Sequence, residues 1–229
     1  MSDFLLIHGT GHGAWCFRDL IAALQDRGHS ARAIDLPAHG ADTTPITDAT
    51  LASYANAILA AIDTPVTLLG HSMGGFPITQ AACFAPEKIA QLVYLCAYVP
   101  APGKSLVEMR RAWPEQPLAG AFITAKDRSS FHFRPDLVQE KLYQDCPPGT
   151  LEYARTHLCD EPAAPSMTPI TGDHSLARSY IRCNHDQAIP PAYQHAMSAG
   201  WDSVADMDCG HSPFFADPKG LAGILTNLT

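Results

Sequence analysis

Residues 66–82 read VTLLGHSMGGFPITQAA. An apolar run enters the five residues Gly70-His71-Ser72-Met73-Gly74, of the form G-x-S-x-G, and a helical pattern leaves them almost at once. A strand that turns this abruptly into a helix forces the residue at its apex into a strained conformation. The flanking positions must then be small to clear the neighbouring strand and helix. Gly70, Gly74 and Gly75 meet that requirement, and the apex is Ser72. Pro77 removes an early helical N–H, so an irregular first turn is expected. Taken alone, the stretch also fits an inert glycine-rich turn, and the partners of Ser72 must decide.

The rest of the chain supplies the sheet such a turn requires. The apolar runs FLLIH, ARAIDL, VTLLG and LVYLCAYV are separated by helical patterns, for instance Leu51, Tyr54, Ala55, Ile58, Leu59 and Ile62, stopped at Thr64-Pro65. Strands apolar on both faces and alternating with helices predict an α/β fold, a mostly parallel sheet covered on both sides. Over residues 100–176 this rhythm fails, and ten of the nineteen prolines fall there. That stretch is expected to be an inserted helical cap, with a short helix near Asp136 to Asp145, between core segments 1–99 and 177–229. Regular grammar returns with SYIRC, SVADMD and a final helix bearing Leu221, Ile224, Leu225 and Leu228.

Composition excludes several classes. No apolar run approaches the ~20 residues of a membrane span, and MSDFLLIHG lacks the basic start and cleavage site of a signal peptide, so a cytoplasmic protein is expected. The net charge is −8 and no Lys/Arg cluster exceeds Arg110-Arg111, which leaves nothing for a nucleic acid backbone. Seven cysteines, among them Cys83, Cys96 and Cys183, stand mostly in apolar segments without C-x-x-C spacing and are expected to be buried thiols. Eleven histidines include no H-E-x-x-H or paired Cys/His set, so no metal is expected; His132, His157, His185 and His195 read as surface or cap residues.

A serine hydroxyl is a weak nucleophile near neutral pH and needs an imidazole to take its proton, oriented in turn by an acid. Downstream, Asp186 follows the strand SYIRC and His211 follows SVADMD, both in loops beyond strand ends where active sites gather. Asp208 is a weaker acid candidate, being too close in sequence to His211. The early turn HGTGHGA admits two readings. Gly9, Gly11 and Ala14 match a dinucleotide fingerprint with Asp35 downstream. Alternatively the N–H of Thr10, with that of Met73 after the nucleophile, receives an oxyanion. The late Asp and His favour the second, and Asp35 becomes an ordinary strand-end residue. Trp113, Phe122, Phe131 and Phe133 either line an acyl pocket or hold the cap to the core.

LIHGTGHGAW, LLGHSMGG, AYVPAPG, HDQAIPP and CGHSPFF, in this order, resemble landmarks of the α/β-hydrolase superfamily. The resemblance is closer to the group of plant methylesterases, hydroxynitrile lyases and bacterial esterase relatives. It implies a triad of Ser72, Asp186 and His211, an oxyanion hole of the Thr10 and Met73 N–H groups, no cofactor, and a small apolar or aromatic ester as substrate. Gly9, Trp113 and Phe131 are the candidate substrate contacts, and a homodimer is compatible with the group. The lyases carry Thr, Glu and Lys where this chain has Gly9, His71 and Ser212, so an esterase is expected over a lyase. A cofactor-free relative or a non-catalytic small-molecule binder is the alternative.

Overall fold

The computed structural model describes residues 1–228. Six parallel strands form one sheet: β1 (Asp3–Ile7), β2 (Ser30–Ile34), β3 (Val66–His71), β4 (Ile89–Leu95), and two late strands introduced below. Because side chains alternate across a strand, Phe4 and Leu6 of β1 point into one core and Leu5 and Ile7 into the other. The first core is closed by α1 (Arg18–Gln25), the second by α2 (Leu51–Ala60) and α3 (Gly75–Phe84). Thr50 caps α2 through a reciprocal pair of bonds with Ser53, which fixes where the helix starts.

After β4 the chain leaves the sheet through α4 (Leu106–Ala112). The strands β5 (Phe122–Thr124) and β6 (Ser130–Phe133) follow, then α5 (Val138–Leu142), α6 (Thr150–Arg155), the two-residue strand β7 (Glu161–Pro162) and α7 (Ala163–Met167). The helices expected in this stretch are present, but an antiparallel β5-β6-β7 sheet accompanies them. Phe131 and Phe133 alternate with Ser130 and His132, a period of two that makes one face of a hairpin apolar. Arg128 turns that hairpin at φ 61, with Asp127 accepting from the Ser129 N–H.

The chain rejoins the sheet with β8 (Arg178–Cys183), crosses α8 (Pro191–Met197) to β9 (Val204–Met207), and ends in α9 (Pro213–Ala216) and α10 (Pro218–Leu228). Leu221 and Leu225 of α10 are fully buried on the α1 side. The strand order β2-β1-β3-β4-β8-β9 reverses direction between β1 and β3. In such sheets the crevice beyond the strand ends at that reversal is where ligands bind. Among the described residues, no helix is long and apolar enough to cross a membrane.

The β3–α3 junction has no room for side chains. A Cβ on Gly74 would lie 2.8 Å from the His8 and Ile7 carbonyl oxygens, and one on Gly75 would run into the carbonyl of Tyr98. Gly75→Ala is therefore expected to destabilise the fold by about 3 kcal/mol, since backbone cannot yield as a side chain does. A thermal melt checks this.

Candidate active site

Ser72 stands one residue beyond β3 at φ 57, in the left-handed region that a non-glycine residue occupies only under strain of about 1–2 kcal/mol. The strain is held from two sides. The Ser72 carbonyl accepts from the Tyr98 N–H at 3.0 Å, and Ser72–Gly74 form a 3-10 turn that runs into α3, the irregular start that Pro77 implied. The first N–H groups of that turn, Met73 included, have no intrahelical acceptor, and the positive end of the helix faces the serine.

His211 Nε2 lies 3.0 Å from Ser72 Oγ, and His211 Nδ1 lies 2.7 Å from Asp186 Oδ2. Residues 72, 186 and 211 thus converge, although β9 is an edge strand three positions from β3. The loop is drawn back by its own backbone: the His211 carbonyl accepts from His71 Nε2 at 2.8 Å and from the Cys96 thiol at 3.6 Å. His71, which sequence reasoning valued only as a contrast with the lyases, is thus a tether for His211. Asp186 is held by four donors. Its Oδ1 accepts from the Ala188 and Ile189 N–H groups, and its Oδ2 from Gln194 Nε2 and His211. Gln194 was not singled out in the sequence. Asp208, the rival acid, is 85% exposed and pairs with His185 at 2.7 Å.

The Thr10 turn is built from backbone held on every side. The Gly9 carbonyl accepts from His8 Nδ1 at 3.0 Å and from the His12 N–H at 3.2 Å. A peptide's N–H points opposite to its C=O, so these bonds fix the direction of the Thr10 N–H. The Thr10 carbonyl in turn accepts from His12 Nδ1 at 2.8 Å. Gly9 abuts Ser72: a Cβ there would lie 2.8 Å from Ser72 Cβ. Asp35, far from being idle, accepts the Ala14 and Ala41 N–H groups and fastens the end of this turn.

Three histidines of the site are buried and neutral. Burial pushes His12 down to about 4, with the nearby histidines His211 and His39 adding to it against the Thr10 carbonyl. Burial likewise holds His8 and His71 well below the usual imidazole value, helped by His39 and His211 respectively. His39 goes the other way. Burial opposes its charge, but the Glu161 carboxylate at 3.0 Å outweighs burial and raises it. Below about pH 6.5 an unfolded chain would protonate His8, His12 and His71 while the folded one does not. Their stabilisation is therefore present above that pH and lost as pH falls, by up to about 4 kcal/mol per unit. The His39 contribution is complete below about pH 6.5 and fades as pH climbs through its raised value. We expect calorimetry to show the thermal midpoint falling steeply below about pH 6, with unfolding adding about three protons to these histidines from solvent.

Among the described residues, His71, Cys96 and His211 bring ligand atoms within 4.8 Å of one another, the geometry of a metal site. Each is already engaged: His211 by Asp186 and Ser72, His71 Nε2 by a carbonyl, and the Cys96 thiol pushed up to about 12 by burial. This donor set does not fit a cation without dismantling the serine's partners.

Trp113 stacks on Tyr193 at 4.3 Å, and both line a narrow crevice with Tyr98, Leu118 and Ala188, the last beside Asp186. Phe131 packs edge-on against Phe122 at 5.0 Å in the small sheet. A wider cavity of about 300 Å³ is lined by Phe133, Val138, Arg155 and Cys159, among others, and by none of Ser72, Asp186 or His211. The seven cysteines are free thiols, three of them only partly buried.

A family model described as the alpha/beta hydrolase family matches residues 4–224. The chain is 30% identical over 263 residues to norfluorocurarine synthase 2 of a Strychnos species, covering 99% of this chain and 94% of the relative. It is 29% identical over 247 residues to methylesterase 18 of Arabidopsis thaliana, covering 95% and 93%. The crystal structure of polyneuridine aldehyde esterase superposes with a TM-score of 0.88 at 26% identity, covering 100% of this chain and 99% of that one. With its parallel sheet, its serine at the turn after β3 and a match that runs almost end to end, this chain belongs to the alpha/beta hydrolase family.

Proposed function

We propose that this protein is a serine esterase acting on small apolar or aromatic carboxylic esters through an acyl-enzyme. The observation that carries the reading is the unbroken relay from Asp186 through His211 to Ser72, at 2.7 and 3.0 Å. His211 Nδ1 donates to Asp186, which leaves Nε2 free to take the Ser72 proton. Oγ attacks the ester carbonyl, and the oxyanion settles between the N–H groups of Thr10 and Met73. The intermediate collapses, His211 passes its proton to the departing alcohol, and water, deprotonated by His211, releases the acid. Residues 100–176 act as a cap, whose Trp113 stacks on Tyr193 of the core segment. The similarity to proteins named methylesterase 18 and polyneuridine aldehyde esterase supports ester cleavage.

A lyase is disfavoured because the position after His211 is Ser212, fully buried and uncharged, where a departing cyanide would need a cation. A panel of p-nitrophenyl and methyl esters, with mandelonitrile cleavage as control, tests the activity. Rapid labelling by a fluorophosphonate probe at Ser72 is expected; no labelling of the folded protein would point to a binder instead.

A further inference from the structure

The buried carboxylate of Glu161 has no part in that mechanism, yet it is fully buried and reaches the Thr10 turn from a remote segment. Its Oε2 accepts the Gly11 N–H at 2.8 Å and faces His39 Nε2 at 3.0 Å, while the Tyr54 hydroxyl lies 3.5 Å from Oε1. Two residues earlier, the Cys159 N–H donates to the Gly11 carbonyl at 3.0 Å. One three-residue stretch, from Cys159 to the first residue of β7, therefore grips Gly11 by both of its backbone groups. Gly11 sits at φ 65, with the Cys159 carbonyl 3.0 Å from where a Cβ would be.

The grip acts on the peptide unit next to the proposed oxyanion donor. In the Thr10–Gly11 unit the carbonyl is held by His12 and the N–H by Glu161. In the Gly9–Thr10 unit the carbonyl is held by His8 and His12. Among the described residues, the one group in these two planes that no protein atom accepts is the Thr10 N–H. With both planes clamped, that donor is aimed before any substrate arrives, the condition under which a hydrogen bond stabilises a transition state without reorganisation. Resting on the serine esterase reading above, we propose that Glu161 is a positioning residue, which fixes the Thr10 N–H through Gly11 and so makes the oxyanion site depend on the seating of the segment around β7.

Reach and charge can be separated by two substitutions. Glu161→Gln keeps the reach: its amide oxygen takes the place of Oε2 toward Gly11, and its amide N–H can donate to the Tyr54 oxygen. Glu161→Asp keeps the charge beside His39 but falls one methylene short of Gly11. On p-nitrophenyl acetate the Asp variant is expected to lose about 10²-fold in kcat with KM within about threefold, the effect of a displaced donor. Inhibition by phenylboronic acid, whose tetrahedral adduct places an oxygen at the oxyanion position, should weaken in parallel. The Gln variant should stay within about fivefold of wild type in both readouts, whatever its melting temperature. The proposal is overturned if the Asp variant keeps wild-type kcat and boronate affinity, or if both variants lose activity in step with thermal stability. Ser72→Ala assayed alongside separates the two failures. A dead Ser72→Ala with a fully active Asp variant removes this inference alone, whereas an active Ser72→Ala removes the esterase reading and this inference with it.

Discussion

Ser72→Ala is expected to lower kcat on a p-nitrophenyl ester by about 10⁴- to 10⁶-fold, with KM changed little. The substitution deletes one oxygen. The Cβ that fits against Gly9 remains, and so does the Tyr98 N–H bond to the residue 72 carbonyl. The fold and the Thr10 turn should therefore persist, and the thermal midpoint should stay close to that of the parent. What disappears is the acceptor of the acyl group, so the burst of p-nitrophenol under pre-steady-state conditions should vanish along with turnover. A residual rate above the uncatalysed one is expected, because the oxyanion donors can still favour attack by water. Wild-type turnover by the purified variant would end the serine mechanism.

Asp186→Asn should be nearly as damaging, about 10⁴-fold in kcat. Asp186 receives four donors, two on each oxygen, and an amide can offer only one oxygen. If the amide nitrogen takes the Oδ1 position it meets the Ala188 and Ile189 N–H groups, which cannot accept from it. If it takes the Oδ2 position it meets the donor of Gln194 and forces His211 to turn its Nδ1 into an acceptor. The proton of His211 then moves to Nε2, and the imidazole can no longer accept from Ser72. The outcome is a folded protein whose kcat has fallen. Stopped-flow turnover of parent and variant, with circular dichroism as the check on folding, reads this directly. If Asp186→Asn lost less than about tenfold, the acid would have to come from elsewhere.

The chain of βα units was legible because the buried strands are short apolar runs separated by helical patterns, one of them stopped at Thr64-Pro65. The convergence of Ser72, Asp186 and His211 was legible for a related reason: each lies in the loop just beyond such a run, where chain can reach over the sheet. Glu161, Gln194 and Asp35 were not. Glu161 bonds Gly11 across 150 residues of sequence, while Gln194 ties Cys183, Asp186 and Ile189 together and Asp35 holds Ala14 and Ala41, loop contacts that no hydrophobic period encodes. The small antiparallel sheet was hidden differently. SFHF carries the alternation of a strand, but a region holding ten of nineteen prolines reads first as broken chain. His71 and His12 looked like incidental members of glycine-rich motifs until their partners, the His211 and Thr10 carbonyls, were adjacent in space.

The contact between Gly9 and Ser72 also constrains how this chain could change its chemistry. A methyl group at position 9 would press on Ser72 Cβ and come within 3.1 Å of both His71 Nδ1 and the His71 carbonyl. A larger side chain at position 9 therefore requires the Ser72 turn itself to shift, and no substitution of the His71 side chain relieves the contacts with Ser72 Cβ and the His71 carbonyl. Adaptive walks or directed libraries that sample one codon at a time would find that route closed. Position 212 is no freer, since Ser212 is fully buried and its carbonyl accepts from the Phe215 and Ala216 N–H groups.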